Sequence, residues 1–282
     1  MINSFGKVYF DQKGKEEELA KRADFIKVTK RTLKSIEKAI QFLYEEVLLF
    51  DYRLLPYGTQ LVFITDFFNT IENPTKEQLE TLKKWFWQTT YASYFTIYSL
   101  SKQREAYNTF RDFLEGRTNN PLYNDDKLNR PFMAVDFPTK KTHGSVRYNA
   151  LILFMMNQAN DWRKLDVNEV DSIKIRPLFR EAISKPENMV TLIVFENNIE
   201  SNSLNSTAKK GKKKSDLSNW LLDYQNDYEK YFITNDMRNE YADDISKRNF
   251  ILECRKEIIQ KEEKKFVENL ELKYEEDIEM NH

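Results

Sequence analysis

The triplet Trp85-Phe86-Trp87 constrains this chain more than any other feature. Three adjacent aromatic side chains are too large and apolar to leave in water. They stand inside residues 54–95, LLPYGTQLVFITDFFNTIENPTKEQLETLKKWFWQTTYASYF. Upstream, Leu61, Ile64, Phe67, Phe68 and Ile71 recur at helical spacing and give one broad apolar face. Asn73-Pro74 stops that helix, because a residue before proline is pushed out of the α region. Thr75 then reads as an N-cap, with Gln78 as its capping-box partner. The next helix turns Leu79, Leu82, Trp85 and Phe86 inward, and Trp87 widens the aromatic band. Two antiparallel helices clamping the triplet are predicted to form the centre of a helical core.

Composition agrees with that centre. Six glycines and seven prolines in 282 residues disfavour a fold of many tight β-turns, while 32% charged and 14% aromatic residues suggest long helices with solvated outer faces. The fold expected is mainly α, a multi-helix bundle with an aromatic core and at most a small β element near 189–195. The formal net charge of −1 excludes a uniformly basic molecule, so any anion-binding surface has to be local. Cys254 is the single cysteine, which excludes an intrachain disulfide. The first residues lack the apolar stretch of a signal peptide, and LILFMMNQA at 151–159 is too short to span a bilayer. A soluble, cytoplasmic protein with no membrane partner is expected.

Along the chain, Leu33, Ile36, Ile40, Leu43 and Val47 mark a face of a long helix ending near Phe50. A further helix runs from about Ser99 to Leu114 and stops at Gly116. These elements make an N-terminal helical bundle over 1–116. Residues 117–145, with Pro121, Pro131 and Pro138, read as a connector. A C-terminal helical region follows over 146–282, beginning with a buried helix at 146–157. Met189–Phe195 is strand or short buried helix, which periodicity does not separate. Residues 203–215 are a lysine-rich loop. Asp216 to about Phe232 returns to helix, carried by Leu217, Trp220, Leu221 and Tyr224. Asn235 to about Tyr274 reads as one or two charged helices anchored by Ile245, Phe250, Ile251, Ile258 and Phe266.

Few residues offer chemistry. The two histidines, His143 and His282, and Cys254 are too few and too scattered for a zinc site. No phosphate-loop, dinucleotide or nucleophile-elbow motif occurs. No catalytic residue, metal or cofactor is expected. Lys209, Lys210, Lys212, Lys213 and Lys214, grouped around Gly211, form the one dense basic run and could touch phosphates. The plain alternative is a solvated loop. Arg147, Arg163, Arg176 and Arg180 are candidates for the same patch. Among acidic pairs, Asp243-Asp244 are expected to face solvent, and adjacent carboxylates such as Glu262-Glu263 to point to different helix faces.

The order of several segments resembles the C-terminal half of GmrSD-type restriction proteins, prokaryotic defence enzymes against modified phage DNA. The matching pieces are the lead helix 26–49, LLPYGTQLVFITDFF, LKKWFWQTTYASYF, the buried helix 146–157, ENMVTL with NNIESNSLN after it, and ISKRNFILECRKEI. In that family a ParB-like nucleotide-hydrolysing domain comes first, then a helical region, then an HNH-type nuclease segment. This sequence has no Asp-Gly-Gln-Gln-Arg signature of the first domain. Where the family has paired nuclease histidines it reads SIKIRPLF at 172–179, and neither Lys174 nor Arg176 can serve as a neutral base or metal ligand. Asn188 and Thr191-Leu192 keep the family pattern.

The resemblance implies a non-catalytic, DNA- or partner-associated subunit with a degenerate nuclease site. Lys174, Arg176 and the 209–214 lysines would contact phosphate, and a separate ParB-like nucleotide-hydrolysing protein would be a partner. Two alternatives stand beside it. One is a nuclease holding Mg²⁺ with carboxylates alone, Asp161, Asp166, Glu169 and Asp171. The other is a helical interaction scaffold without nucleic acid.

Overall fold

The computed structural model describes residues 20–97, 99–124, 133–134, 136–142, 144–159, 170–195, 217–222 and 228–274. The protein is mainly helical, as expected. The chain divides into two compact units. One takes residues 1–46, 56–135 and 270–282, and the other residues 47–55 and 136–269. The chain passes from the first unit to the second at 135/136. The chain also changes unit around 47–55 and again at 270, so neither unit is one continuous stretch.

The first unit is built on α1 (Phe25–Val47), α2 (Gly58–Thr70), α3 (Lys76–Tyr91), α4 (Tyr94–Ile97) and α5 (Leu100–Leu114). Thr75 caps α3 as its sequence predicts: Gln78 N donates to Thr75 Oγ1 at 3.2 Å and Thr75 N to Gln78 Oε1 at 2.9 Å. Ser99 caps α5, and Gly116, at a φ of +71°, closes it. The aromatic triplet is fully buried, but a pair of helices is not enough to cover it. Phe63 of α2 stacks on Trp85 at 5.4 Å, and α4 and α5 complete the shell, with Phe95, Tyr107 and Phe110 edge-on to Phe63 at 5.0–5.5 Å. Trp85 also meets Phe110 at 4.9 Å. α1 joins through Phe42 against Phe68 and a Lys83–Glu46 ion pair at 3.1 Å.

A polar clasp sits beside these rings. Gln60, fully buried at the start of α2, donates to Phe86 O, Thr89 Oγ1 and Thr90 Oγ1 near the end of α3, at 2.9–3.0 Å. Its Oε1 accepts from Tyr57 N at 3.3 Å. The start of α2 therefore lies against the end of α3, so the two run antiparallel. A two-residue parallel ladder of β1 (Met133–Ala134) with β4 (Lys273–Tyr274) belongs to the same unit. Gln88 Nε2 holds the returning chain there, donating to Leu270 O at 2.8 Å.

In α1 the buried face differs from the expected one. Val28, Thr32, Ser35, Ala39, Phe42, Leu43 and Val47 point inward, whereas Leu33 and Ile40 face solvent. Two small hydroxyl residues take core positions because their Oγ atoms bond back to Val28 O and Arg31 O, at 2.8 and 3.0 Å.

The second unit holds α6 (Val146–Ala159), β2 (Val170–Pro177), β3 (Met189–Phe195), α7 (Asn235–Asp243) and α8 (Arg248–Asn269). Residues 189–195 are a strand, antiparallel to β2. The small β element expected near 189–195 is this two-stranded ladder. The predicted helix over 216–232 is not formed among its described residues, which make 3-10 turns at Trp220–Leu222 and Glu229–Tyr231. Side chains take the carbonyls that a helix would have used: Tyr228 OH donates to Trp220 O, and Arg238 Nε to Leu221 O at 3.2 Å. The charged C-terminal region is two helices broken at Asp244, whose Oδ1 accepts from Ser246 N at 2.9 Å. Ile245 and Phe250 lie exposed at that break instead of anchoring it.

Arg255 is the buried hub of this unit. Its guanidinium donates to Tyr231 O at 3.0 Å, to Glu187 O, and to Met155 Sδ at 3.9 Å. Burial pulls its pKa down to about 9, with the Glu187 carboxylate opposing, so it stays charged at neutral pH. Replacing Arg255 with Ala should cost about 3 kcal/mol, because two buried carbonyls lose their donor and a cavity opens. Phe63→Ala should cost a similar ~3–5 kcal/mol. Urea unfolding of each variant measures both.

Candidate nucleic-acid interface

Alternation along β2 decides where its cations go. Lys174 pairs in register with Leu192 and Arg176 with Val190, so all four share one face of the ladder. Val190 and Leu192 belong to a buried cluster with Leu178, Phe179, Leu221, Tyr241 and Ile251. Lys174 and Arg176 are half-buried beside it, two residues or roughly 7 Å apart on the strand. This arrangement lets a long cation cover apolar surface with its stem and keep its charge at the edge. Arg176 makes no ion pair among the described residues.

The five lysines, 209, 210, 212, 213 and 214, lie outside the described residues, as do His143, Arg163 and His282. The nearest described residues on either side are Phe195 and Leu217. Phe195 ends β3 in register with Val170, and the N–H of Leu217 donates to Pro177 O at 3.0 Å. Leu217 follows Lys214 by three residues, and Pro177 follows Arg176 directly. Arg180 is exposed just beyond.

Other candidates are already engaged. Arg147 does not join this patch: it donates to Glu263 through both terminal nitrogens, at 2.9 and 2.6 Å, and through Nε to Asp136 O at 2.9 Å. Glu263 is buried on α8 by that bidentate pair, while its neighbour Glu262 turns outward to Lys265. Asn188 is fully buried, donating to Phe179 O and Ala182 O at 2.7 and 2.9 Å and accepting from Phe179 N at 2.9 Å. It brackets the β2–β3 connection from within, with both amide protons committed to backbone carbonyls. Asp243 and Asp244 are exposed, as expected. The carboxylates Asp161, Asp166 and Glu169 lie outside the described residues, as does the side chain of Asp171. Among the described residues no group of three His, Cys, Asp or Glu could hold a metal ion, and no helix is long and apolar enough to cross a membrane. Burial pushes the Cys254 thiol up, which suppresses thiolate chemistry.

The first unit holds a different titratable group. Asp66 is buried on α2, accepting from Tyr107 OH at 2.6 Å with Arg111 at 3.8 Å. Burial outweighs both partners and raises its carboxyl above the ordinary value. A cleft of about 360 Å³ in the same unit is lined by Thr81, Lys84, Gln88, Asn119, Asn120 and Glu271. Its charges are matched internally by a Lys84–Glu271 pair at 2.9 Å.

No family model, curated protein or solved structure matches the chain. The reading of the site therefore rests on its own chemistry. Sequence reasoning missed Arg255, Glu263, Gln60 and Asp66 as buried polar positions. Their helical register beside apolar residues is the one signal that pointed inward.

Two predictions separate structural from surface charge. Glu263→Ala should destabilise the protein by about 3 kcal/mol, since Arg147 would stay buried without its acid, whereas Lys174→Ala should cost under about 1 kcal/mol. Urea midpoints distinguish them. The second concerns pH. The folded protein holds the Asp66 proton more tightly than the unfolded chain, so its contribution favours folding in acid and is lost as pH rises from about 4 through the folded value. Asp66→Asn should thus gain stability relative to the parent as pH rises through that window. Urea midpoints taken across pH test the sign.

Proposed function

We propose that this chain is a non-catalytic helical subunit that contacts nucleic-acid phosphates, acting in a restriction-like defence system of the GmrSD type. The observation that carries the reading is the hydrogen bond from Leu217 N to Pro177 O. It fixes Leu217, three residues past the only dense lysine run in the sequence, beside the strand that carries Lys174 and Arg176. Cations on a strand, with a lysine run close by in the sequence, suit a phosphate backbone, which needs several positive charges and no deep pocket. The ordered resemblance of segments over roughly residues 25–265 supports the defence context, and a cytoplasmic location follows from it. In this reading the catalytic work belongs to a separate ParB-like nucleotide-hydrolysing protein.

The decisive measurement is binding to duplex and single-stranded DNA across a salt series. Affinity should fall linearly on a log–log plot. Glutamate at Lys209, Lys210, Lys212, Lys213 and Lys214 together should weaken binding and reduce the slope by up to about 4, and Lys174→Ala with Arg176→Ala by up to about 2. Unchanged binding in both variants would reject these residues as the contact site. No binding at low salt would reject DNA as the partner and leave protein association in front.

A further inference from the structure

The outward face of α1 carries a seam of exposed apolar side chains. Ile26, Leu33, Ile40 and Tyr44 are 69%, 53%, 45% and 37% exposed. Lys30 and Glu37, both exposed, fall between them. The six positions 26, 30, 33, 37, 40 and 44 are spaced alternately four and three apart. That spacing keeps one stripe facing a partner helix along the whole α1 length, about 35 Å for its 23 residues. Neither Lys30 nor Glu37 makes an ion pair among the described residues. The seam is distinct from the inward face at Val28, Thr32, Ser35, Ala39 and Phe42, so a partner could cover it without disturbing the core.

We propose that this seam pairs antiparallel with the same seam of a second copy of the chain. The charge pattern selects that occupant and that direction. The first half of α1 carries Lys27, Lys30, Arg31 and Lys34, and the second half Glu37 and Glu45, with Glu46 committed to Lys83 of its own chain. Lys38 is the exception, and it donates to Glu72 O within its own chain. Antiparallel alignment sets each basic half against the other copy's acidic half. With the two-fold axis between Leu33 and Glu37, Ile26 meets Tyr44 of the second copy, Lys30 meets Ile40, and Leu33 meets Glu37. Lys30 and the opposing Glu37 then differ by three residues along the axis, about 4.5 Å, within reach of the lysine ammonium. Parallel pairing would oppose Lys30 to Lys30 and Glu37 to Glu37 in the low-dielectric seam. By symmetry the antiparallel contact is made twice. The dimer stands independently of the DNA reading.

The test is sedimentation equilibrium of the full chain between roughly 1 and 500 μM, a range suited to an interface at the small end. The parent should be a monomer–dimer mixture. Leu33→Glu should be monomeric with an unchanged circular dichroism spectrum, because Leu33 is exposed in the monomer. K30E should raise the dissociation constant at least about tenfold, since both attractive contacts become repulsive. The double variant K30E/E37K should recover the parent value to within about threefold, because it restores opposite charges only across an antiparallel seam. Two results overturn the proposal. One is a parent chain that stays monomeric throughout, which would mean that the seam is covered otherwise, for example by residues 1–19 of the same chain. The other is a double variant no better than K30E, which would exclude antiparallel self-pairing.

Discussion

The first unit depends on the contact between Phe63 and Trp85. An indole and a phenyl ring in an offset stack give a flat platform on which Phe95, Tyr107 and Phe110 pack. Phe95, Tyr107 and Phe110 approach Phe63 edge-on, which fixes how α4 and α5 return over α2 and α3. Close packing of this kind tolerates little variation in helix position, because a shift that relieves one edge contact compresses another. The Gln60 clasp adds direction to this packing. Aromatic contacts alone would allow α2 to slide along α3 by a turn, but a fully buried amide that must reach Phe86 O and two threonine hydroxyls allows one register.

The second unit solves the same problem with fewer rings and more buried polar groups. Arg255 draws together a 3-10 turn at Tyr231, another at Glu187 and the sulfur of Met155 on α6, three places with no regular structure in common. Asn188 closes the β2–β3 connection from inside, and the Arg147–Glu263 pair joins α6 to α8. Irregular backbone leaves carbonyls without helix or sheet partners, and long side chains from the helices supply the missing donors. That exchange explains why an arginine on an otherwise charged helix is buried, and why the segment around Trp220 makes short turns although its apolar spacing is helical.

How far the sequence was legible follows from these two solutions. The helices with local signals were read closely: Thr75 and Gln78 for the start of α3, Ser99 and Gly116 for the ends of α5, continuous apolarity for α6. Each of those signals acts within four residues. The inward face of α1 was misjudged because apolar size favoured Leu33 and Ile40, while the core accepted Thr32 and Ser35, whose hydroxyls find partners only once the helix exists. The 216–232 segment was misjudged because Tyr228 and Arg238 compete for its carbonyls, and that competition is tertiary. Of the candidate phosphate contacts, Lys174 and Arg176 were identifiable as unusual cations in an apolar run, but their common face required the register with β3. Arg147 could not be removed from the list without knowing that Glu263 faces it.

A chain with 44 basic and 45 acidic residues presents no overall field, so function has to come from where charge is left over after folding. Folding commits Arg147, Arg255, Glu263 and Asp66 to the interior. Arg111, Lys83, Lys84 and Arg248 are drawn into ion pairs along the surface. Against that background two sets of charges stand out by position. Lys174 and Arg176 lie at the edge of a buried cluster, on the strand to which Leu217 bonds through Pro177 O. Lys30 and Glu37 are interleaved with exposed apolar side chains on α1. The first set is of one sign and suits a polyanion, whereas the second is balanced and suits a surface with its own pattern reversed. In a nearly neutral protein these two charge patterns lie on different elements, and each would ask for the opposite kind of partner.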